Sequence, residues 1–268
     1  MIEFLTLAAV VYLGVTGFVF AFQRSLLYYP DRSMPSRQAS GVSDMTETSL
    51  LTSDGLSLLA WYRPAAIGKP TLVLFHGNAG HIGHRGIKVR PYLDAGLGVL
   101  LVEYRGYGGN DGAPSEEGLY QDGRAALEFL DGEGVPGTRV VLYGESLGAG
   151  ICVQMARERP VGALVLEAAL TSVGDVAAHH YPYLPHRWLA LDRFDNVAKI
   201  PSVSVPVLMI HGERDRIVPV RFGRALFEAA VEPKEISIFP EADHNDLHQF
   251  PLSDLVIGFL SRHMTGAG

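Results

Sequence analysis

Residues Arg139–Gly150, RVVLYGESLGAG, decide how this chain folds. The first half, RVVLY, is short, continuously apolar and rich in β-branched residues, which suits a strand buried on both faces. The second half breaks into Gly144-Glu145-Ser146-Leu147-Gly148 and leads straight into a helical stretch, Leu147–Arg159. Glycines on both sides of Ser146 allow a sharp turn that side chains would obstruct. Such a turn holds the hydroxyl above a sheet edge, beside a helix amino end that favours negative charge. Taken alone, G-x-S-x-G is a weak signal, and a Gly-rich helix start with a capping serine is the bland reading. Its place between a strand and a helix gives it weight.

The same alternation runs outward in both directions. Thr71–Phe75 (TLVLF), Gly98–Glu103 (GVLLVE), Gly162–Leu166 (GALVL), Val205–Ile210 (VPVLMI) and Glu235–Phe239 (EISIF) repeat the short apolar run. Helices are expected at Ser115–Leu130, Val220–Ala230 and Pro251–His263. Strands separated by helices imply an α/β fold, with a mostly parallel sheet, right-handed crossovers and flanking helices. Upstream, Leu50–Tyr62 reads as a hairpin turning at Ser53-Asp54-Gly55. The Pro-rich, aromatic segment from Thr171 to Pro201 has no strand character. It is expected to form a short helical cap, residues 171–200, over the carboxyl edge where open α/β sheets bind ligands.

A serine nucleophile needs a base, and the base needs an orienting carboxylate. VPVLMI runs into His211-Gly212-Glu213-Arg214-Asp215, and EISIF into Pro240-Glu241-Ala242-Asp243-His244. Asp215 and His244 therefore fall at carboxyl strand ends, on the edge that carries Ser146. The chain order serine, acid, histidine is that of nucleophile-elbow enzymes. Glu213 is a rival acid, expected on the outer side of its loop. Asp243 is a rival orienter, disfavoured because adjacent side chains rarely point inward together. His211 reads as a hydrogen-bonded core histidine. His248 lies one helical turn past His244 without a third ligand, so it reads as solvent-facing rather than metal-binding.

Acyl transfer also requires donors for an oxyanion. TLVLF ends in His76-Gly77-Asn78-Ala79-Gly80, whose open backbone lets the N–H of Asn78 join that of Leu147. HGNAG lacks the Gly-Lys-Ser/Thr of a phosphate loop, and Tyr104–Gly109 fails the dinucleotide spacing. No metal or cofactor is expected.

The first thirty residues differ from the rest. No charged side chain interrupts Phe4–Phe22, and about twenty apolar residues in a helix cross a hydrocarbon core of roughly 30 Å. Residues 1–30 are expected to be a retained membrane anchor and juxtamembrane segment, and residues 31–268 one domain. A cleaved signal peptide fits less well, since no basic stretch precedes the apolar run. Arg24, Arg32 and Arg37 follow the helix, which favours a cytoplasmic catalytic domain by the positive-inside rule. The helix is read as a tether that localises the enzyme, with Leu26, Leu27, Tyr28 and Tyr29 available as a wall if it does more.

Composition excludes several classes. With 268 residues and 47% apolar residues, the chain can bury a large core and is not disordered. A formal charge of −7 with no long basic run argues against nucleic acid. The single cysteine, Cys152, cannot form an internal disulfide.

HGNAG, EYRGYGGNDGAPSEEG, YGESLGAG, GERDRIVP and EADHND, in that order, resemble the α/β-hydrolase superfamily. More narrowly they resemble the membrane-anchored Bem46-like serine hydrolases, including the mammalian ABHD13-like group, over about residues 45–262. The resemblance implies an eight-stranded, mostly parallel sheet whose first strands are antiparallel. It also implies Ser146 as nucleophile, Asp215 as acid, His244 as base, and Asn78 with Leu147 as oxyanion donors. The insert is short beside the lids of true lipases, which argues against large triacylglycerol substrates.

These readings converge on a membrane-associated serine esterase for acyl esters, lipid-like or of medium chain length. Tyr181, Tyr183, Leu184 and Trp188 of the insert are expected to wall its acyl site, although plain packing on the sheet explains them equally. Thioester cleavage by the same triad is the alternative, separable by rates on matched esters and thioesters. A non-catalytic, membrane-tethered binding protein is a third class, which an intact triad disfavours. The oligomeric state is not legible.

Overall fold

The computed structural model describes residues 1–264, with only the backbone described at 187 and 188. The chain opens with a 26-residue helix, α1 (Ile2–Leu27), then strand β1 (Tyr29–Pro30). The hairpin follows as β2 (Thr46–Leu51) and β3 (Ser57–Arg63), turning at Gly55, whose φ is +88°. Next come β4 (Thr71–Phe75), β5 (Ala79–Gly80), α2 (Gly86–Asp94), β6 (Gly98–Val102) and α3 (Glu116–Gly132). The central unit is β7 (Val140–Glu145), α4 (Gly148–Glu158) and β8 (Ala163–Glu167). Three short helices form the insert: α5 (Val173–His180), α6 (His186–Leu189) and α7 (Asn196–Lys199). The chain then runs through β9 (Val207–Gly212), α8 (Val220–Ala229), β10 (Lys234–Phe239) and α9 (Leu252–His263).

Eight strands form one sheet in the order β2-β3-β6-β4-β7-β8-β9-β10. β3 is antiparallel to both neighbours, and every pair from β6 to β10 is parallel. This is the mostly parallel α/β sheet that the apolar runs predict. Strand periodicity explains its two-sided burial, because alternate residues face opposite ways. Val73 and Phe75 of β4 enter one core with Leu119, Leu130, Ile151 and Val153 from α3 and α4. Leu72 and Leu74 enter the other, with Val89 and Tyr92 of α2 and Val256 and Phe259 of α9. Ser115 starts α3 by accepting a hydrogen bond from the Gly118 N–H, with Glu116 and Glu117 in the positive first turn.

Two features go beyond the sequence reading. α2 carries Pro91 inside it, and proline removes a backbone donor that a helix uses, so its helical signal is poor. β1 pairs in parallel with β5, Tyr29 opposite Ala79 and Pro30 opposite Gly80. The expected boundary at residue 30 thus falls at the end of a strand that pairs with the loop following β4.

Candidate active site

Ser146 sits between β7 and α4 with φ +49°, in the left-handed region that disfavours side chains. Holding a non-glycine residue there costs of order 1–3 kcal/mol and persists only where the surroundings over-determine it. Here they do. The Ser146 N–H donates to Glu167 O at 2.8 Å, tying the turn to β8. A Cβ on Gly148 would lie 2.1 Å from Phe75 O, and one on Gly144 2.5 Å from the Ala149 Cα. Both flanking positions of the motif therefore exclude any side chain.

Beneath the turn lies a charged network that sequence spacing does not reveal. Glu145 accepts from Arg85 Nε at 3.0 Å and pairs with Lys88, which also reaches both Glu167 carboxylate oxygens at 2.8 and 2.9 Å. Tyr143 Oη donates to Glu167 at 2.5 Å. Burial alone would raise the Glu145 carboxyl, but Lys88 and Arg85 outweigh it and hold it below its ordinary range. Burial likewise opposes the charge on Lys88, and the two glutamates raise it. The partners lie 24 to 79 positions apart, so only the folded sheet assembles them.

The loop after β9 presents Asp215, whose side chain is fully buried. Its Oδ1 accepts the N–H groups of Ile217 (2.9 Å) and Val218 (2.7 Å), and its Oδ2 faces His244 Nδ1 at 2.7 Å. His211 Nε2 donates to Val218 O at 2.8 Å and lies 3.2 Å from Asp215 Oδ2. Burial works against the Asp215 charge, but the contacts from His211, His244 and the Val218 N–H prevail and lower its pKa to about 2. An ionised Asp215 accepts only, so Nδ1–H of His244 is the donor and Nε2 is left for other partners. Among the described residues no hydrogen bond joins the Ser146 hydroxyl to this imidazole.

The rival groups are engaged elsewhere. Glu213 is exposed and paired with Arg224. Asp243 is paired with Arg216 at 2.8 Å and accepts from the backbone of His244, not its ring. His248 is exposed and bonds to Asn245 O.

Asn78, Ser146, Leu147, Ile217 and Val218 all line one cavity of about 270 Å³. Among the described residues, neither the Asn78 N–H nor the Leu147 N–H has a hydrogen-bond partner. The rest of Asn78 is tightly held. Its carbonyl accepts from Tyr29 N (2.9 Å) and Tyr107 Oη (2.8 Å), and its Nδ2 donates to Leu27 O at 2.7 Å. The Gly-rich turn after β6, which fails as a nucleotide fingerprint, thus braces this loop through Tyr107.

Of the expected wall residues, Leu184 is buried and Tyr181 lines the cavity while remaining 52% exposed. Tyr183 lies outside the lining and is 62% exposed, its carbonyl accepting from Tyr12 of α1. Trp188 lies outside the described side chains. The opposite wall comes from α1 itself, through Val19, Phe20, Leu26 and Leu27.

Away from the cavity, Asp31, His81 and His84 bring one donor atom each to within 4.8 Å of one another. The Asp31 carboxylate there is already bonded to Ser33, and the two imidazoles stack at 4.1 Å.

Residues 70–197 match the model of the alpha/beta hydrolase fold. An uncharacterised protein of Mycobacterium tuberculosis (strain H37Rv) is 42% identical over 90% of this chain and 86% of its own length. The alpha/beta hydrolase domain-containing protein WAV2 of Arabidopsis thaliana is 32% identical over 84% of this chain and 82% of its own. Protein bem46 of Schizosaccharomyces pombe is 30% identical over 86% and 82%. Among solved structures, the Pyrococcus furiosus esterase Pf2001 superposes with a TM-score of 0.72 at 18% identity, covering 88% of this chain and 99% of that one. A bacterial membrane phospholipase A gives 0.65 at 16% identity, covering 99% and 97%.

Proposed function

Because the chain belongs to the α/β-hydrolase family, we propose that it is a membrane-associated serine esterase that cleaves acyl esters through an acyl-enzyme. One observation carries the reading: Ser146, forced to positive φ, lines an apolar cavity beside two backbone N–H groups that have no hydrogen-bond partner among the described residues. Those are the elements acyl transfer requires, a presented nucleophile and donors for the developing oxyanion.

In this reading Ser146 Oγ attacks the ester carbonyl carbon while His244 Nε2 takes the hydroxyl proton. The carbonyl oxygen becomes an anion between the N–H groups of Asn78 and Leu147. The C–O bond to the alcohol then breaks, and His244 returns the proton to the departing alkoxide. Water repeats the sequence on the acyl-serine, with His244 as base, releasing the carboxylic acid and regenerating Ser146. Asp215 fixes the imidazole tautomer and offsets the positive charge that His244 carries between the two transfers. Among the described residues the Ser146 hydroxyl and the His244 imidazole share no hydrogen bond, and a catalytic contact of this kind forms when a substrate enters.

Membrane association rests on α1, which is long and apolar enough to cross a bilayer and has no buried residue. The positive-inside rule places the catalytic domain on the cytoplasmic side through Arg32 and Arg37. Arg24, at the end of the helix, counts with them, because acidic partners carry little weight in that rule.

A fluorophosphonate probe tests the proposal. The wild-type protein should be labelled at Ser146 and hydrolyse an activated short-chain ester, and Ser146→Ala should abolish labelling and lower kcat by about 10⁴-fold or more. Labelling that persists in the folded variant would remove Ser146 from the mechanism.

A further inference from the structure

Apolar on every side in the sequence, α1 has one favoured face in the structure. Its half-buried positions are Thr16, Val19, Gln23 and Leu27, spaced three or four apart, which is one face of a helix. Tyr12 extends the same stripe by one turn. Two polar members of the stripe, Tyr12 and Gln23, hold the helix to the cap. Tyr12 Oη donates to Tyr183 O at 2.9 Å, and Gln23 Nε2 to Leu189 O at 3.1 Å. Gln23 Oε1 accepts from Leu191 N at 2.8 Å. Beside them Arg24 grips the buried Asp192 with two bonds of 2.8 and 3.1 Å. At its far end the helix is bound to the site loop through Leu27 O and Asn78. A tether that only localises needs none of these contacts.

From this geometry, and resting on the serine-esterase reading, we infer that the last two turns of α1 are a wall of the acyl site, and that the substrate is a single-chain ester drawn from the bilayer between α1 and the cap. Three observations carry it. Val19, Phe20, Leu26 and Leu27 line the cavity that Ser146 lines. A volume of about 270 Å³ lies at the low end for ligand pockets, which suits one chain rather than two. The cap rim beside the helix, at Tyr181, Tyr183 and Leu191, is more than half exposed. Amphipathic tyrosines at such a rim suit a lipid–water boundary. The contact of Tyr12 with Tyr183 lies fifteen residues before Leu27, roughly 22 Å back along the helix axis. A helix spanning the bilayer therefore sets that rim beside acyl chains, and the cavity reaches from Tyr181 of the rim to Ser146.

The test uses the full chain in detergent micelles and in vesicles, with activated esters from acetate to decanoate. Val19→Trp fills the wall and should lower kcat/KM for decanoate at least tenfold more than for acetate. Val19→Ala enlarges it and should move the preferred length toward longer chains. Ala21→Trp, exposed on the other side of the helix at nearly the same depth, should keep the wild-type profile. Vesicle-held monoacyl esters should turn over at least tenfold faster than diacyl esters. Parallel chain-length profiles for wild type and both Val19 variants, with Ser146 still labelled by fluorophosphonate, would overturn the wall. Equal turnover of monoacyl and diacyl esters would overturn the single-chain assignment. If Val19→Trp misfolds and loses labelling, Val19→Ala decides alone. No turnover of any ester by the wild type, with no labelling, would instead sink the esterase reading and this inference with it.

Discussion

The Ser146 turn and the end of α1 meet at one cavity but are built by opposite means. The turn is backbone, strained and locked: Gly144 and Gly148 admit no side chain, β8 holds its N–H, and buried charges lie underneath. The helix is side chain, half exposed and clasped by a few polar contacts on an otherwise bare surface. Chemistry tolerates little displacement, and a 1 Å error in a reacting group can cost about 10²-fold. An acyl chain is a non-directional ligand whose wall can give. On the proposed reading, rigidity lies where bonds change and compliance where an acyl chain is covered.

Substitutions at the two regions should therefore differ in kind as well as size. The largest effect expected is at the acid: Asp215→Asn should lower kcat by roughly 10³–10⁴-fold, while Asp243→Asn stays within about tenfold. The opposite ranking in folded variants would move the orienting role to Asp243. The same pair provides a pH signature. Because the Asp215 pKa is depressed to about 2 in the fold, from about 3.9 when unfolded, its stabilising contribution is present above about pH 4. It fades as pH falls toward 2. The stability gap between wild type and Asp215→Asn, followed by denaturant unfolding, should be constant near neutrality and narrow through that window. A gap that widened on acidification would mean that the carboxyl is protonated in the fold.

At the helix the effects should be smaller and should appear in KM. Arg24→Ala leaves Asp192 buried without its cation, yet Arg24 itself is half exposed. A stability loss of about 1–2 kcal/mol is expected, with a several-fold rise in KM for medium-chain esters. Arg24→Lys should restore only part of it, because an ammonium cannot make the two-pronged contact. A kcat collapse with KM unchanged would show that the clasp serves the reacting groups after all. Tyr12→Phe should be the mildest, a loss of about 0.5 kcal/mol or less in thermal unfolding, since its bond to Tyr183 O is exposed.

The two regions also differ in how far they could be read in advance. A strand-end serine between glycines, and an acid and a histidine at later strand ends, follow from chemistry that needs those residue types in that order. The parallel sheet follows from five-residue apolar runs separated by helices. By contrast, the sidedness of α1 rests on Tyr12, Thr16 and Gln23, three scattered polar residues in a 26-residue apolar helix. They were the available signal, since their spacing matches one helical face. The Lys88 network has no local spacing to betray it, because its partners lie on separate strands and helices. His211 reads as a core residue at a strand end, and it is buried; its 3.2 Å approach to Asp215 depends on a loop conformation that no pattern encodes. The strand pairing of Tyr29 and Pro30 is too short to register as periodicity.

Asn78 has a practical bearing on how the protein is prepared. Its carboxamide ends on Leu27 O, its carbonyl on the N–H of Tyr29, and its loop continues into the strand that pairs with Tyr29 and Pro30. A soluble fragment begun after residue 30 loses all of these partners at once, and with them the bracing of a candidate oxyanion donor. Rates measured on such a fragment describe a catalyst with a slackened site loop, whatever its solubility. Cutting between Phe22 and Gln23 instead keeps Leu27, Tyr29 and the Arg24–Asp192 clasp, and separates the cost of losing the lipid span with the Val19–Phe20 wall from the cost of dismantling the loop.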